Sequence, residues 1–168
     1  MNKYSNNKSK QKLNLISEYA SLYKETDKLT IRCKFNFHYF NIQDAGEDFK
    51  DWNHIQLIKL MNKLKNYSEN SLEYWTNQNI GKGIGHVLEI YGQFPKSTQT
   101  DFSEPKAIPI EAQWGRFRLE SSVRFIGFII PNELHSQAHS ITTERFDKNT
   151  FYVVFLDKDH KFYQSENK

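Results

Sequence analysis

Three aromatic and β-branched runs fill the last third of this chain, at 113–119, 123–130 and 150–156. Segments of this length and composition are typical of β-strands. The tripeptide Glu120-Ser121-Ser122 is a tight turn between the first two runs, so we expect them to form an antiparallel hairpin. The polar segment 131–149 before the third run is long for a hairpin loop, and such loops are often functional.

The first part of the domain predicts one strand and two helices. Residues 29–40 alternate with period two, which is typical of a half-exposed strand. Its inward face would consist of Ile31, Cys33, Phe35, Phe37 and Tyr39. Apolar residues at a spacing of three predict a helix over 51–66 with a second, short helix over 69–75. The apolar face of the longer helix would consist of Trp52, Ile55, Ile58, Met61 and Leu64.

A further strand candidate covers 86–91, and a long irregular connection follows it. A strand, two helices and then an antiparallel meander predict an α+β domain with its helices packed on one face of a small antiparallel sheet.

The positive charge of the chain lies in its N-terminal arm. Residues 1–30 hold six lysines against three acidic residues, and the whole chain carries a net charge of +3. Within 1–28, apolar residues recur at a spacing of three and predict a short helix. We therefore predict a basic arm with a short helix at 1–28 and a single α+β domain at 29–168. Such a charge permits contact with nucleic acid without requiring it.

Several classes of protein are disfavoured by composition. Cys33 is the only cysteine, which excludes an internal disulfide and a thiolate metal cluster. No run approaches the length of a membrane span and no signal peptide is recognisable, so we expect a cytoplasmic protein without membrane contact. His135 and His139 lack the glutamate and the third ligand of a zinc motif. We therefore predict no metal site and no cofactor.

Arginine side chains gather on the predicted hairpin. Arg116 and Arg118 share one face of the first strand, and Arg124 opens the second strand close to them. Neighbouring guanidinium groups repel one another unless an anion or carboxylates lie between them. The functional interpretation is that these arginines bind a phosphate or an RNA backbone. Cross-strand pairing with Glu111, Glu120 or another carboxylate is the structural alternative.

A second set of candidates follows the last strand. His160 at a strand end is suited to proton transfer near neutral pH, Asp157 can orient its ring, and Tyr163 offers a hydroxyl to a phosphate. The structural alternative is a turn in which Asp157 accepts hydrogen bonds from backbone amides and His160 is solvated.

Lys161 is a further candidate for contact with phosphate or RNA. Lys82 is another, although its glycine-rich loop lacks the phosphate-binding patterns and a plain turn is the alternative.

The runs GRFRLESSVRFIGFII and TFYVVFLDKDHKFY resemble the sheet of the RelE/ParE-like toxins of bacterial toxin–antitoxin pairs, mainly over 114–163. The resemblance implies a β-α-α-β-β-β order, here with an extra N-terminal helix. The long 131–149 insert and the three-residue spacing of His160 and Tyr163 depart from the family.

By position, the resemblance assigns Arg124 to the arginine that steadies the scissile phosphate. Arg116 and Arg118 match the basic strand before it, and His160 and Tyr163 match the terminal histidine and tyrosine.

The resemblance also implies an activity, which is metal-independent cleavage of RNA through the 2′-hydroxyl. His160 would be the acid or the base, Arg124 and Arg118 an electrostatic clamp, and Tyr163 a positioning group. The chain would then be a toxin or phage-defence effector acting on RNA or the ribosome, with a small antitoxin protein as partner. The alternative is a non-catalytic protein- or nucleic-acid-binding module of a bacterial or phage system, so the sequence leaves open whether the chain is an enzyme.

Overall fold

The computed structural model describes residues 29–81, 83, 85–120 and 122–164. The predicted arm at 1–28 with its short helix lies outside the described residues, and so does Lys82. The helices and strands all belong to one compact unit, Arg32–Lys168.

The fold is α+β, as predicted, and is built from one five-stranded sheet and two α-helices. The strands are β1 (Lys34–Asn36), β2 (Leu88–Gly92), β3 (Gln113–Arg118), β4 (Arg124–Ile129) and β5 (Thr150–Asp157). Helices α1 (His54–Tyr67) and α2 (Leu72–Asn77) lie between β1 and β2 along the chain. The strand order across the sheet is β1-β5-β4-β3-β2.

The sheet differs from the prediction in two respects. It is mixed, because β1 pairs in parallel with β5, whereas the other neighbours are antiparallel. The strand candidate at 86–91 forms β2, so four strands follow the helices instead of the three in the β-α-α-β-β-β order that the resemblance implies.

The first strand is much shorter than the alternation over 29–40 predicted. The side chain of Asn36 accepts a hydrogen bond from the backbone N–H of His38 at 2.9 Å, which turns the chain away from the sheet after three paired residues. Phe37, expected to face inward, is consequently 38% exposed, and Ile31, which precedes the paired residues, is 46% exposed. Cys33 is buried in the core, as expected.

Helix α1 begins at His54, three residues after the predicted start at Asp51. Asn53 is its N-cap and forms a reciprocal capping box with Gln56, with both hydrogen bonds at 3.0 Å. The helix packs on the sheet through Leu60 and Tyr67, which are both buried. Three residues of the predicted apolar face are exposed instead: Ile55, Ile58 and Met61.

Both faces of the sheet carry a hydrophobic core. The helices cover one face, where Trp75 and Tyr67 pack with Phe117 and Phe125. The other face is covered by loops, and its core includes Trp114, Phe128, Phe155 and Phe162. Phe162 belongs to the segment after β5, so burial of its ring holds the C-terminal part of the described chain against the sheet.

Candidate functional site

The pairing of strands brings the predicted arginines into one patch. Arg118 on β3 lies opposite Arg124 on β4, and Arg124 lies opposite Asp157 on β5. In the neighbouring row, Arg116 lies opposite Glu89 on β2. Side chains two apart on a strand share a face, so these groups project from the loop-covered face, at the end of the sheet beyond its aromatic core.

An open hollow with a volume of about 600 Å³ lies at this patch. Four of the residues predicted from sequence line it together: Arg116, Arg118, His160 and Tyr163. The remaining lining residues are Glu89, Tyr91 and Gln164. The strands thus supply the cations and the segment after β5 supplies the imidazole and the phenol.

Arg116 is fixed by two neighbours on β2. Its Nη2 donates to Glu89 Oε2 at 2.7 Å, and its guanidinium carbon lies 5.7 Å from the centre of the Tyr91 ring. The structural alternative, cross-strand pairing with a carboxylate, is thus realised for Arg116, and the carboxylate is that of Glu89. Glu89 was missed as a site residue. The available signal was its place on the polar face of the 86–91 strand candidate, between Leu88 and Ile90.

Arg118 has a different environment. No ion pair involving Arg118 is formed within the described part of the chain, and its buried Nε has no hydrogen-bond partner there. Its backbone is held on both sides, because its N–H donates to Val87 O at 2.9 Å and its carbonyl accepts from the Tyr67 hydroxyl. Arg118 is therefore a positioned cation that faces the hollow and has no carboxylate partner among the described residues.

Arg124 is buried beside the hollow and does not line it. Its side chain is only 1% exposed, and Nη1 donates to the carbonyls of Glu120 at 2.8 Å and Val123 at 2.9 Å. Burial, followed by the charges of Arg118 and Arg116, lowers the pKa of Arg124 to about 10. At neutral pH it remains a cation that holds the β3–β4 turn and adds positive potential to the site.

Asp157 organises the turn after β5. Its carboxylate accepts hydrogen bonds from the backbone N–H groups of Asp159 at 3.2 Å and of Lys161 and Phe162 at 3.0 Å. This is the backbone-capping role given above as the alternative. The turn includes His160, whose φ of 59° lies in the left-handed region. Any orienting effect of Asp157 on the imidazole therefore operates through this turn.

Lys161, predicted to contact phosphate, is not among the residues that line the hollow. Its Nζ lies 3.7 Å from Asp159 Oδ2, and its backbone carbonyl accepts from Asp101 N–H at 3.1 Å. Its described contacts anchor the turn to a neighbouring loop.

The imidazole of His160 is exposed at the rim of the hollow. Partial loss of hydration is the main cause that lowers its pKa, and the charge of Arg124 is the next. Arg116 and Arg118 act in the same direction, and Asp157 opposes them. The ring is consequently mostly neutral at neutral pH, and a bound anion would favour its protonation.

Two tyrosines form an aromatic wall of the hollow. The rings of Tyr91 and Tyr163 stack with their centres 4.8 Å apart and an angle of 11° between their planes. Burial raises the pKa of Tyr91 above its ordinary range, and within the described chain its buried hydroxyl has no hydrogen-bond partner. Tyr163 lies on the solvent side of the pair and is 42% exposed.

The described residues contain no cluster of His, Cys, Asp and Glu side chains arranged to hold a metal ion. His135 Nδ1 accepts from Lys148 N–H at 3.4 Å, and His139 Nδ1 accepts from Ile141 N–H and Thr142 N–H at 3.3 Å. These two histidines therefore organise the 131–149 loop. Within the same part of the chain, no helix has the length and hydrophobicity needed to span a bilayer.

Comparisons of the chain with protein-family models, with curated proteins and with solved structures found no match. The function of the hollow is therefore inferred from its own chemistry.

Proposed function

We propose that the hollow binds a phosphodiester of RNA and that the chain is a RelE-like, metal-independent endoribonuclease. The observation that supports this proposal is the convergence of Arg116, Arg118, His160 and Tyr163 in one open hollow. These residues come from strand β3 and from the segment after β5, so they combine anion recognition with a group that can transfer a proton.

The electrostatics of the patch suit a phosphate. Three guanidinium groups face two carboxylates, those of Glu89 and Asp157, so the described cluster carries one excess positive charge when His160 is neutral. Arg118 would contact the phosphate directly, and Arg124 would stabilise developing charge through its field. Fixed donors and charges of this kind are worth on the order of a hundredfold or more in rate.

Cleavage through the 2′-hydroxyl needs a base for that hydroxyl and an acid for the departing 5′-oxygen. Glu89 and His160 line the same hollow and can fill these roles. The carboxylate of Glu89, held by Arg116, would accept the 2′-proton. His160 would donate to the leaving oxygen, since a bound phosphodiester raises the pKa that partial burial and then the arginines lower. Tyr163 would position the substrate.

Cleavage of a labelled RNA oligonucleotide in the presence of EDTA tests the chemistry. We expect a product with a 2′,3′-cyclic phosphate or a 3′-phosphate, and no cleavage where the ribose is 2′-deoxy. His160→Ala should lower the rate by about a hundredfold or more. His135→Ala, a histidine change on the 131–149 loop, is the matched control. Equal rates for the two variants, or loss of activity in EDTA, would contradict the proposal.

In the cell, the proposed enzyme would be a toxin or phage-defence effector of the cytoplasm that acts on RNA or the ribosome. A small antitoxin protein would be its partner. Induced expression should then arrest growth, and Arg118→Gln should relieve the arrest at equal protein level. Arg145→Gln, on the 131–149 loop, should leave it unchanged. If the Arg118→Gln variant still arrests growth, the toxicity does not depend on the hollow.

A second candidate is a nucleic-acid-binding module without catalysis on the same surface. The ion pair between Arg116 and Glu89 favours it, because a carboxylate with an arginine 2.7 Å away is a weaker base than a solvated one. This candidate predicts salt-sensitive RNA binding that Arg118→Gln weakens, with no product after prolonged incubation.

A further inference from the structure

We infer that the groove on the far side of Arg118 binds a nucleobase that flanks the phosphodiester in the hollow. This inference rests on the proposed function and adds a second subsite to it. The groove has a volume of about 280 Å³. Its walls are apolar, with Tyr67, Ile80, Val87 and Leu119 on its sides and Lys63 and Glu120 at its rim.

The groove and the hollow meet at Arg118, which lines both of them. Gly85 lies at the junction. A Cβ atom at Gly85 would be 4.0 Å from Arg118 Nη2, 4.0 Å from Ile80 Cδ1 and 3.4 Å from Glu89 Oε1. The guanidinium of Arg118, the side chain of Ile80 and the carboxylate of Glu89 therefore all lie close to Gly85, which has no side chain of its own to fill the junction. A strand whose phosphate contacts Arg118 can place its next base in the groove.

The chemistry of the groove suits a base. Nucleobases have apolar faces and polar edges, and proteins recognise unpaired ones by contact with apolar and aromatic groups together with hydrogen bonds to the edge. Lys63 Nζ lies 5.8 Å from the centre of the Tyr67 ring and offers a donor at the rim. The Glu120 carboxylate, 3.4 Å from Lys59 Nζ, offers an acceptor. The cations Lys63 and Arg118 favour an anionic strand over an apolar peptide.

Fluorescence anisotropy with two uncleavable probes tests the subsite. One is a 2′-O-methyl RNA trinucleotide and the other is the same backbone without bases. Ile80→Ala should weaken binding of the first probe roughly tenfold and leave binding of the second unchanged. Val87→Ala is a second, milder truncation with the same expected pattern. Ile58→Ala, on the exposed face of α1, is the matched control, and circular dichroism checks that each variant is folded.

The outcomes separate the subsite from the proposed function. Arg118→Gln should weaken both probes, because both carry phosphates. If the wild-type protein binds neither probe, the proposed function fails. A different result is that the wild-type protein binds both probes while Ile80→Ala and Val87→Ala weaken the binding of the two probes equally or not at all. In that case the base subsite is overturned and the phosphodiester site stands.

Discussion

The hydroxyl of Tyr67, at the end of helix α1, donates a hydrogen bond to the backbone carbonyl of Arg118, at the end of strand β3. The two residues are 51 positions apart in the chain. Tyr67 is 3% exposed and packs on Trp75 and Phe117, and burial raises its pKa to about 12. The core of the helix face therefore sets the position of the one arginine in the hollow that has no described carboxylate.

We expect Tyr67→Phe to lower the free energy of unfolding by about 1 kcal/mol, the usual net worth of a buried hydrogen bond. It should also weaken RNA binding, because the end of β3 is no longer tied to α1. Urea unfolding and anisotropy measure the two effects. Tyr74→Phe, at an exposed tyrosine on α2, is the control, and equal RNA affinity in the two variants would show that the bond is structural only.

Asp157→Asn should be more damaging. The carboxylate is 2% exposed, accepts from three backbone N–H groups and lies opposite the buried Arg124. An amide places an NH₂ group against backbone donors and removes the opposing charge. We expect a loss of about 3 kcal/mol in the free energy of unfolding, measured by denaturant titration.

The matched control for this change is Asp159→Asn, at an exposed aspartate of the same turn. It should leave stability nearly unchanged. A similar, small effect of both substitutions would mean that the Asp157 contacts do not hold the turn.

The convergence of the arginines was predictable from local rules. Period-two alternation places Arg116 and Arg118 on one face, and the tight turn after β3 sets the hairpin register that brings Arg124 opposite Arg118. A short segment after β5 then has little freedom, so His160 and Tyr163 return to the same end of the sheet. These effects act between residues that are close together in the chain, so the sequence alone is enough to predict them.

The predicted helix face was wrong for a local reason, whereas the partner of Arg116 depended on a distant segment of the chain. Apolar residues spaced three apart drift around a helix with 3.6 residues per turn, so Ile55, Ile58 and Met61 do not share the face that buries Leu60 and Tyr67. Glu89 could not be paired with Arg116 before the position of β2 beside β3 was known.

Gly127 marks an irregularity in the pairing of β4 with β5, where the register shifts after Ile126. A Cβ atom there would lie 2.0 Å from the backbone oxygen of Tyr152, which cannot move without breaking the sheet. Gly127→Ala should therefore lower the free energy of unfolding by about 3 kcal/mol. Gly83→Ala, with its nearest atom at 3.4 Å, is the control in thermal unfolding. Equal melting temperatures for the Gly127→Ala and Gly83→Ala variants would contradict the close approach of Gly127 to the Tyr152 backbone.

The titration of His160 gives the most direct test of the charges around it. Its pKa should lie below the ordinary 6.5, because partial loss of hydration and then the neighbouring arginines disfavour the imidazolium ion. Arg118→Gln removes one of these charges and should raise the pKa. Inorganic phosphate in the hollow should also raise it, since an anion stabilises the protonated ring. NMR titration of the His160 ring protons measures each shift, with Arg145→Gln as the matched charge change on the 131–149 loop. A His160 pKa that responds equally to both substitutions, or not at all to phosphate, would show that the imidazole does not share a site with Arg118.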